Sequence, residues 1–142
     1  MIKNQKGMTL IEMVITVAII GIIAAVAWPE YERHKTKNRR TDGINALLEA
    51  AQQLQQCHTD EGGYIKTDGS TECTYRTDSD EGHFTIDDNN TITVDSYTLT
   101  ATPTRADGEC SSLTITNLGV KGFTSTNSAP NPVGTLNRCW SQ

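Results

Sequence analysis

Two features of this 142-residue chain have residue types and spacing that could do chemistry. Glu12 is the only carboxylate in the run from Met8 to Trp28, 21 residues of which 17 are apolar. A charged side chain at membrane depth costs about 2.5 to 3.5 kcal/mol on insertion scales, so Glu12 calls for a partner. The run itself contains no basic residue. The second feature is four cysteines, Cys57, Cys73, Cys110 and Cys139, all downstream of the run. They suit an oxidising compartment and an exported body. Four thiols permit three pairings, and sequence alone does not choose among them. Joining Cys57 to Cys73 and Cys110 to Cys139 would close two local, turn-rich segments, each bridge contributing on the order of 3 kcal/mol.

Other chemistry finds no footing. His34, His58 and His83 are scattered, Cys-x-x-Cys is absent, and no serine sits in a nucleophile-elbow pattern, so neither catalysis nor a cofactor is expected. The cysteines read as staples rather than metal ligands. Asp78, Asp80, Glu81, Asp87 and Asp88 offer oxygens for calcium but lack the EF-hand spacing, and solvated turns are the better reading. The formal charge of −5 argues against nucleic acid as the default partner. Loss of Met1 to Gly7, with Lys3 and Lys6, would make the body more acidic still.

The elements that must position these residues begin with residues 1–7, a short polar leader carrying two lysines. Residues 8–28 are long enough to cross a bilayer, which takes roughly 20 helical residues. A plain anchor, or a secretory signal cut after Ala25-Val26-Ala27, would explain the length but not Glu12. Beyond Pro29, Ile44, Leu47, Leu48, Ala51 and Leu54 keep the spacing of one apolar helix face. The pattern predicts a helix from about Thr9 to about His58, kinked at Pro29 by the missing backbone donor. Gly21 and Pro29 make its middle the easiest part to unwind.

From Thr59 to Gly82 the helical period gives way to a loop punctuated by glycines. Period-two alternation follows in Phe84 and Ile86, in Ile92 and Val94, in Tyr97, Leu99 and Ala101, and in Leu113 and Ile115, with Val120 to Thr124 as a last strand. Asp87-Asp88-Asn89-Asn90, Asp107-Gly108 and Asn117-Leu118-Gly119 are the turns. The expected class is α+β: an antiparallel sheet of about four strands with the helix face of Leu47, Leu48 and Leu54 on its dry side. Ser125 to Gln142 reads as a loop-like tail, with Trp140 and Tyr97 as packing residues or, for Trp140, a contact surface.

Gly7, the apolar Met8, Thr9-Leu10-Ile11-Glu12 and the long apolar run together resemble the prepilin signature of type IV pilins and of the pseudopilins of type II secretion. Gly21 and Pro29 match that family's helix-weakening positions, while Met8 stands where the family usually has phenylalanine. The stretch from Tyr97 to Pro103, followed by Asp107, Cys110, Leu113, Gly119, Lys121 and Cys139-Trp140, is similar to the PilE group of minor pilins. The resemblance implies the type IV pilin fold, disulfide-stapled, with Cys110 and Cys139 bounding a C-terminal region. It also implies that a prepilin peptidase cuts between Gly7 and Met8 and methylates the new amine, leaving residues 8–28 as a membrane and filament-core helix and 29–142 as the head. The amine of Met8 in an adjacent subunit would then neutralise Glu12, since a buried charge is tolerated when paired.

The partners so implied are other pilin subunits, the prepilin peptidase, the pilus assembly machinery and the inner membrane before assembly. The function so implied is that of a structural subunit of an extracellular pilus, a minor pilin ahead of a major pilin or a pseudopilin, serving adhesion, twitching motility or DNA uptake. A DNA receptor is the less favoured class. Arg33, Lys35, Lys37, Arg39 and Arg40 outnumber the two lysines before the span, so a positive-inside count places the body in the cytoplasm. The cysteines and the signature place it outside. The cluster itself reads as a solvated helix face that could meet anionic headgroups or carboxylates of neighbouring subunits.

Overall fold

A computed structural model describes residues 8–89, 91–125 and 132–140. The elements run in the order α1 (Leu10–Glu61), β1 (Phe84–Asp87), β2 (Thr98–Pro103), β3 (Ser112–Thr116), β4 (Lys121–Thr124) and α2 (Pro132–Trp140). The chain divides into two compact units between Thr36 and Lys37.

In the first unit α1 is helical through both Gly21 and Pro29. Pro29 offers no N–H to the Ala25 carbonyl, so one rung of the helix is missing there. Every described side chain from Met8 to Lys35 is exposed. Leu10 is 82% and Trp28 71% open to solvent, which is the inverse of how a folded domain treats such residues.

The second unit has a true core. Its four strands form an antiparallel meander in sequence order, with Phe84 opposite Pro103, Leu99 opposite Ile115 and Leu113 opposite Phe123. Leu99, Ala101, Leu113 and Ile115 turn inward and join Ile44, Leu47, Ala50 and Leu54 of α1 in one buried cluster, with Leu48 and Ala51 packed at its margin. The alternation of buried and exposed residues along β1 shows one dry and one wet face. Tyr64 and Tyr97 extend the core through an edge-to-face ring contact at 4.8 Å. The fold is thus α+β, as the periodicities require.

Three sequence expectations need correction. Ile92 and Val94 do not form a strand, because Thr91 and Thr93 turn their hydroxyls onto the backbones of Thr98 and Ser96 and fold the segment into a turn. Ile92 still reaches the core, whereas Val94 is exposed. The tail is not wholly loop, since Pro132–Trp140 is α2, with proline at the first helical position, where its missing N–H costs nothing. Arg40 is not part of a solvated basic face, being drawn into the ion pairs described below.

Two disulfides staple this unit. Cys57 near the end of α1 is bonded to Cys73 in the loop that follows, and Cys110 before β3 to Cys139 on α2. The sheet edge at β1 is closed by a bridge between Asp78 and Thr85, and α2 lies along β4.

Candidate functional site

Residues 8–28 of the first unit present one chemical anomaly on an apolar rod. Thr9 caps the helix: its Oγ1 accepts from the Glu12 backbone N–H at 3.3 Å, and its carbonyl accepts from Met13 N–H at 3.3 Å. Thr16 turns its hydroxyl inward to the Met13 carbonyl at 2.8 Å. Gly21 has no side chain and open space around it. What remains polar and outward is the Glu12 carboxylate, which has no hydrogen-bond or ion-pair partner among the described residues. Its place in the first helical turn is the one where a carboxylate gains from the helix dipole. Everything around it would lose by facing water.

The head is organised by two polar anchors on α1. Asp42, buried, accepts from Ser79 Oγ at 2.6 Å, from Glu81 N–H at 3.2 Å and from His83 N–H at 3.4 Å. Ser79 Oγ in turn accepts from Phe84 N–H at 3.0 Å, so one carboxylate fixes the approach to β1. The next helical residue, Gly43, lets the Phe84 ring lie on the helix; a Cβ there would sit 2.7 Å from the ring.

One turn earlier Arg40 grips Asp107 through both oxygens, at 2.7 and 3.0 Å, and reaches Glu109 at 3.1 Å. Glu109 also pairs with Arg138 of α2 at 3.0 Å. Burial acts to raise Asp107, but the Arg40 side chain and the N–H groups of Cys110 and Glu109 outweigh it, and the carboxyl lies below its ordinary 3.8. Burial likewise acts to lower Arg40, and the two carboxylates more than offset it.

Beside β4 the head carries an aromatic and a cation together. Trp140 Nε1 donates to the Gly122 carbonyl at 2.9 Å, and Lys121 Nζ stands 4.9 Å from the centre of its ring. Trp140 is therefore a packing residue, half-buried against the core. A side chain at Gly122 would meet Thr114 Oγ1 and force that hydroxyl to turn away.

Of the residues singled out by sequence, Glu12, Gly21 and Pro29 lie on one exposed stretch of α1, Met8 lies just before it, and the cysteines lie in the head. Gly7 and the rest of the leader fall outside the described residues, as does Asn90 of the first turn. Glu12 meets no cation among the described residues. Asp80 pairs with Arg76 at 2.5 Å and Glu81 with His83 at 3.4 Å, and among the described residues no three such groups converge as a metal site. Sequence reasoning passed over Asp42 and Gly43, and named Thr9, Arg40 and Asp107 without finding the cap and the ion pair they form. Thr9 had a readable signal, the Thr-x-x-Glu spacing of a capping box. Asp42-Gly43 within an apolar helical pattern was a second one, as both residues disfavour helix and need a tertiary reason.

Known proteins repeat this division. A prokaryotic N-terminal methylation motif matches residues 2–28. Over short stretches the chain is similar to a fimbrial protein of Pseudomonas aeruginosa, 47% identical over 53 residues that are 35% of this chain and 34% of that one. It is similar also to fimbrial protein EcpC of Eikenella corrodens, 36% identical over 58 residues, 41% and 38% of the two chains. The match thus spans only about a third of the length of these curated relatives. Among solved structures, the Neisseria meningitidis non-core minor pilin PilV shares the fold, with a TM-score of 0.52 and 22% identity over 68% of this chain and 93% of that one. A family model described as type IV minor pilin ComP, DNA uptake sequence receptor, matches residues 29–114, more than half of the chain. By that match the chain belongs to the ComP family of type IV minor pilins.

Proposed function

We propose that the chain is a minor structural subunit of a type IV pilus, held in the inner membrane with its head in the periplasm until it joins the fibre. The observation that carries this reading is the outward-facing apolar surface of residues 10–28 of α1, whose one carboxylate, Glu12, has no partner among the described residues. Such a surface is stable only in lipid or against other helices. Cleavage between Gly7 and Met8 would supply, in a neighbouring subunit, the cationic amine that Glu12 lacks among the described residues. Pro29 and Gly21 would let the middle of α1 yield during assembly.

The test is electron microscopy with quantitative mass spectrometry of sheared fibres from cells expressing the wild-type chain or Glu12→Gln. Trace incorporation of the wild type, lost in the variant, is expected. A dominant fibre band would make it a major pilin instead, and absence from fibres with a secretion defect on deletion would make it a pseudopilin.

A second reading, DNA reception, is favoured by the description of the family model, whose match covers most of the head. The acidic net charge weighs against broad electrostatic capture. It leaves room for local contact through the exposed cations Arg105 and Lys121, with the Trp140 ring beside Lys121. Binding of duplex DNA by the purified chain should fall with salt, and Lys121→Gln should weaken it and reduce the salt slope by about one. Salt-independent retention, or none, would remove this reading.

A further inference from the structure

Trp28, Tyr31 and Lys35 are spaced i, i+3 and i+7 on α1, so they share one helix face directly after the apolar run. All three are exposed, Trp28 at 71% and Tyr31 at 63%. Arg33 is tied to Glu30 at 2.9 Å, whereas Lys35 has no partner among the described residues. Helix geometry sets the levels of these groups in a bilayer. From Leu10 to Trp28 the helix rises about 27 Å at 1.5 Å per residue, close to the hydrocarbon thickness of roughly 30 Å. Trp28 then lies at the edge of the hydrocarbon. Tyr31 follows about 4.5 Å further out and Lys35 about 10 Å beyond Trp28, the depth of the phosphate and glycerol layer. Amphipathic rings at this level and a lysine whose stem reaches along the helix to the interface are what a membrane surface selects.

We propose that this face is a headgroup anchor: Trp28 and Tyr31 seat the helix at the outer leaflet of the inner membrane, and Lys35 holds the phosphate of an anionic phospholipid. The inference rests on the reading of residues 8–28 as a membrane helix before assembly. The apolar run continuous with the stripe selects lipid as its occupant, because free phosphate would leave the two aromatic rings without a role. The anchor sets the depth of the waiting subunit, and extraction into the fibre must release the lipid. The basic excess on the head side of the span, at odds with a positive-inside count, gains a purpose in this arrangement.

The full chain is reconstituted in vesicles of phosphatidylcholine with and without phosphatidylglycerol, in a Trp140→Phe background so that Trp28 is the only tryptophan. Its depth is read by quenching with lipids brominated near the headgroup or near the bilayer centre. Lipid preference is read by native mass spectrometry of the chain released from mixed bilayers. Strongest quenching by the shallow bromines is expected, with retention of phosphatidylglycerol over phosphatidylcholine that Lys35→Gln lowers about fivefold, the equivalent of roughly 1 kcal/mol per basic residue near an anionic surface. Lys35→Arg should keep the preference. Deep quenching, or an equal preference in Lys35→Gln, overturns the anchor while leaving the membrane helix standing. No quenching by either lipid overturns both.

Discussion

The two stretches of α1 share a backbone but not a source of stability. From Leu10 to Trp28 it is apolar on all sides and exposed on all sides. From Asp42 to Leu54 it is apolar on one face, and the same chain covers that face with a sheet. A helix of the second kind is an ordinary packed element. The first kind is unfinished, and its partners must come from lipid or from other subunits. Substitutions in the first region should therefore be silent in the folding of the isolated subunit and severe in assembly, and those in the head the reverse.

The largest expected effect tests this contrast directly. Glu12→Val removes the one charge that needs a partner, and incorporation into fibres should fall by well over tenfold, a stranded buried charge costing several kcal/mol. The melting temperature of the subunit in detergent should not move. A melting shift comparable to that of a core substitution would show that the two regions are not independent in the way proposed.

In the head, Cys139→Ser opens the bridge that holds α2 beside β4 and should lower stability by about 3 kcal/mol. Asp42→Ala should cost about 2 to 3 kcal/mol, since Ser79 Oγ and the N–H groups of Glu81 and His83 lose their acceptor together. Urea unfolding of the purified chain measures both. Fibre incorporation by the surviving folded fraction should be unchanged.

What could be read from the sequence follows the same division. The apolar run of the long N-terminal helix and the sheet alternation are carried by side-chain type along many residues, and so they were legible. Helix periodicity placed Leu47 and Leu54 correctly for the same reason. Ile92 and Val94 misled because two residues of alternation do not distinguish a strand from a turn, and the hydroxyls of Thr91 and Thr93 settle it locally. Arg40 was hidden among four other basic residues. Only its position across from Asp107, 67 residues away, separates it from them. Gly43 was unreadable as a contact because its function is an absence, the space taken by the Phe84 ring.

That space gives a sharper and smaller test. Alanine is favoured over glycine within a helix by about 1 kcal/mol, whereas forcing extra volume into a filled core costs about 1 to 3 kcal/mol. At Gly43 the clash meets the inner atoms of the ring rather than its flexible end, so the steric term wins. Gly43→Ala should destabilise the head by up to about 2 kcal/mol, the steric cost less the gain in helix propensity. Gly21→Ala, in open space, should raise helicity instead. Equal signs at the two positions, by circular dichroism and urea unfolding, would dissolve the contrast between the regions.

The smallest effects come from two arginine–carboxylate pairs of like chemistry. Arg40 and Asp107 are only 11% and 15% exposed, Arg33 and Glu30 77% and 59%. Because the folded carboxyl of Asp107 lies below its ordinary 3.8, its stabilisation is fully present above that value and is lost as pH falls through the lower, folded value. Asp107→Asn should flatten the acid limb of the stability profile below about pH 4. Glu30→Gln should leave both the profile and the stability within about 0.5 kcal/mol of wild type, because two charges already in water gain little by meeting. If the two variants altered the acid limb alike, burial would not be what separates the regions, and the completeness of the head would have to rest on its apolar core and staples alone.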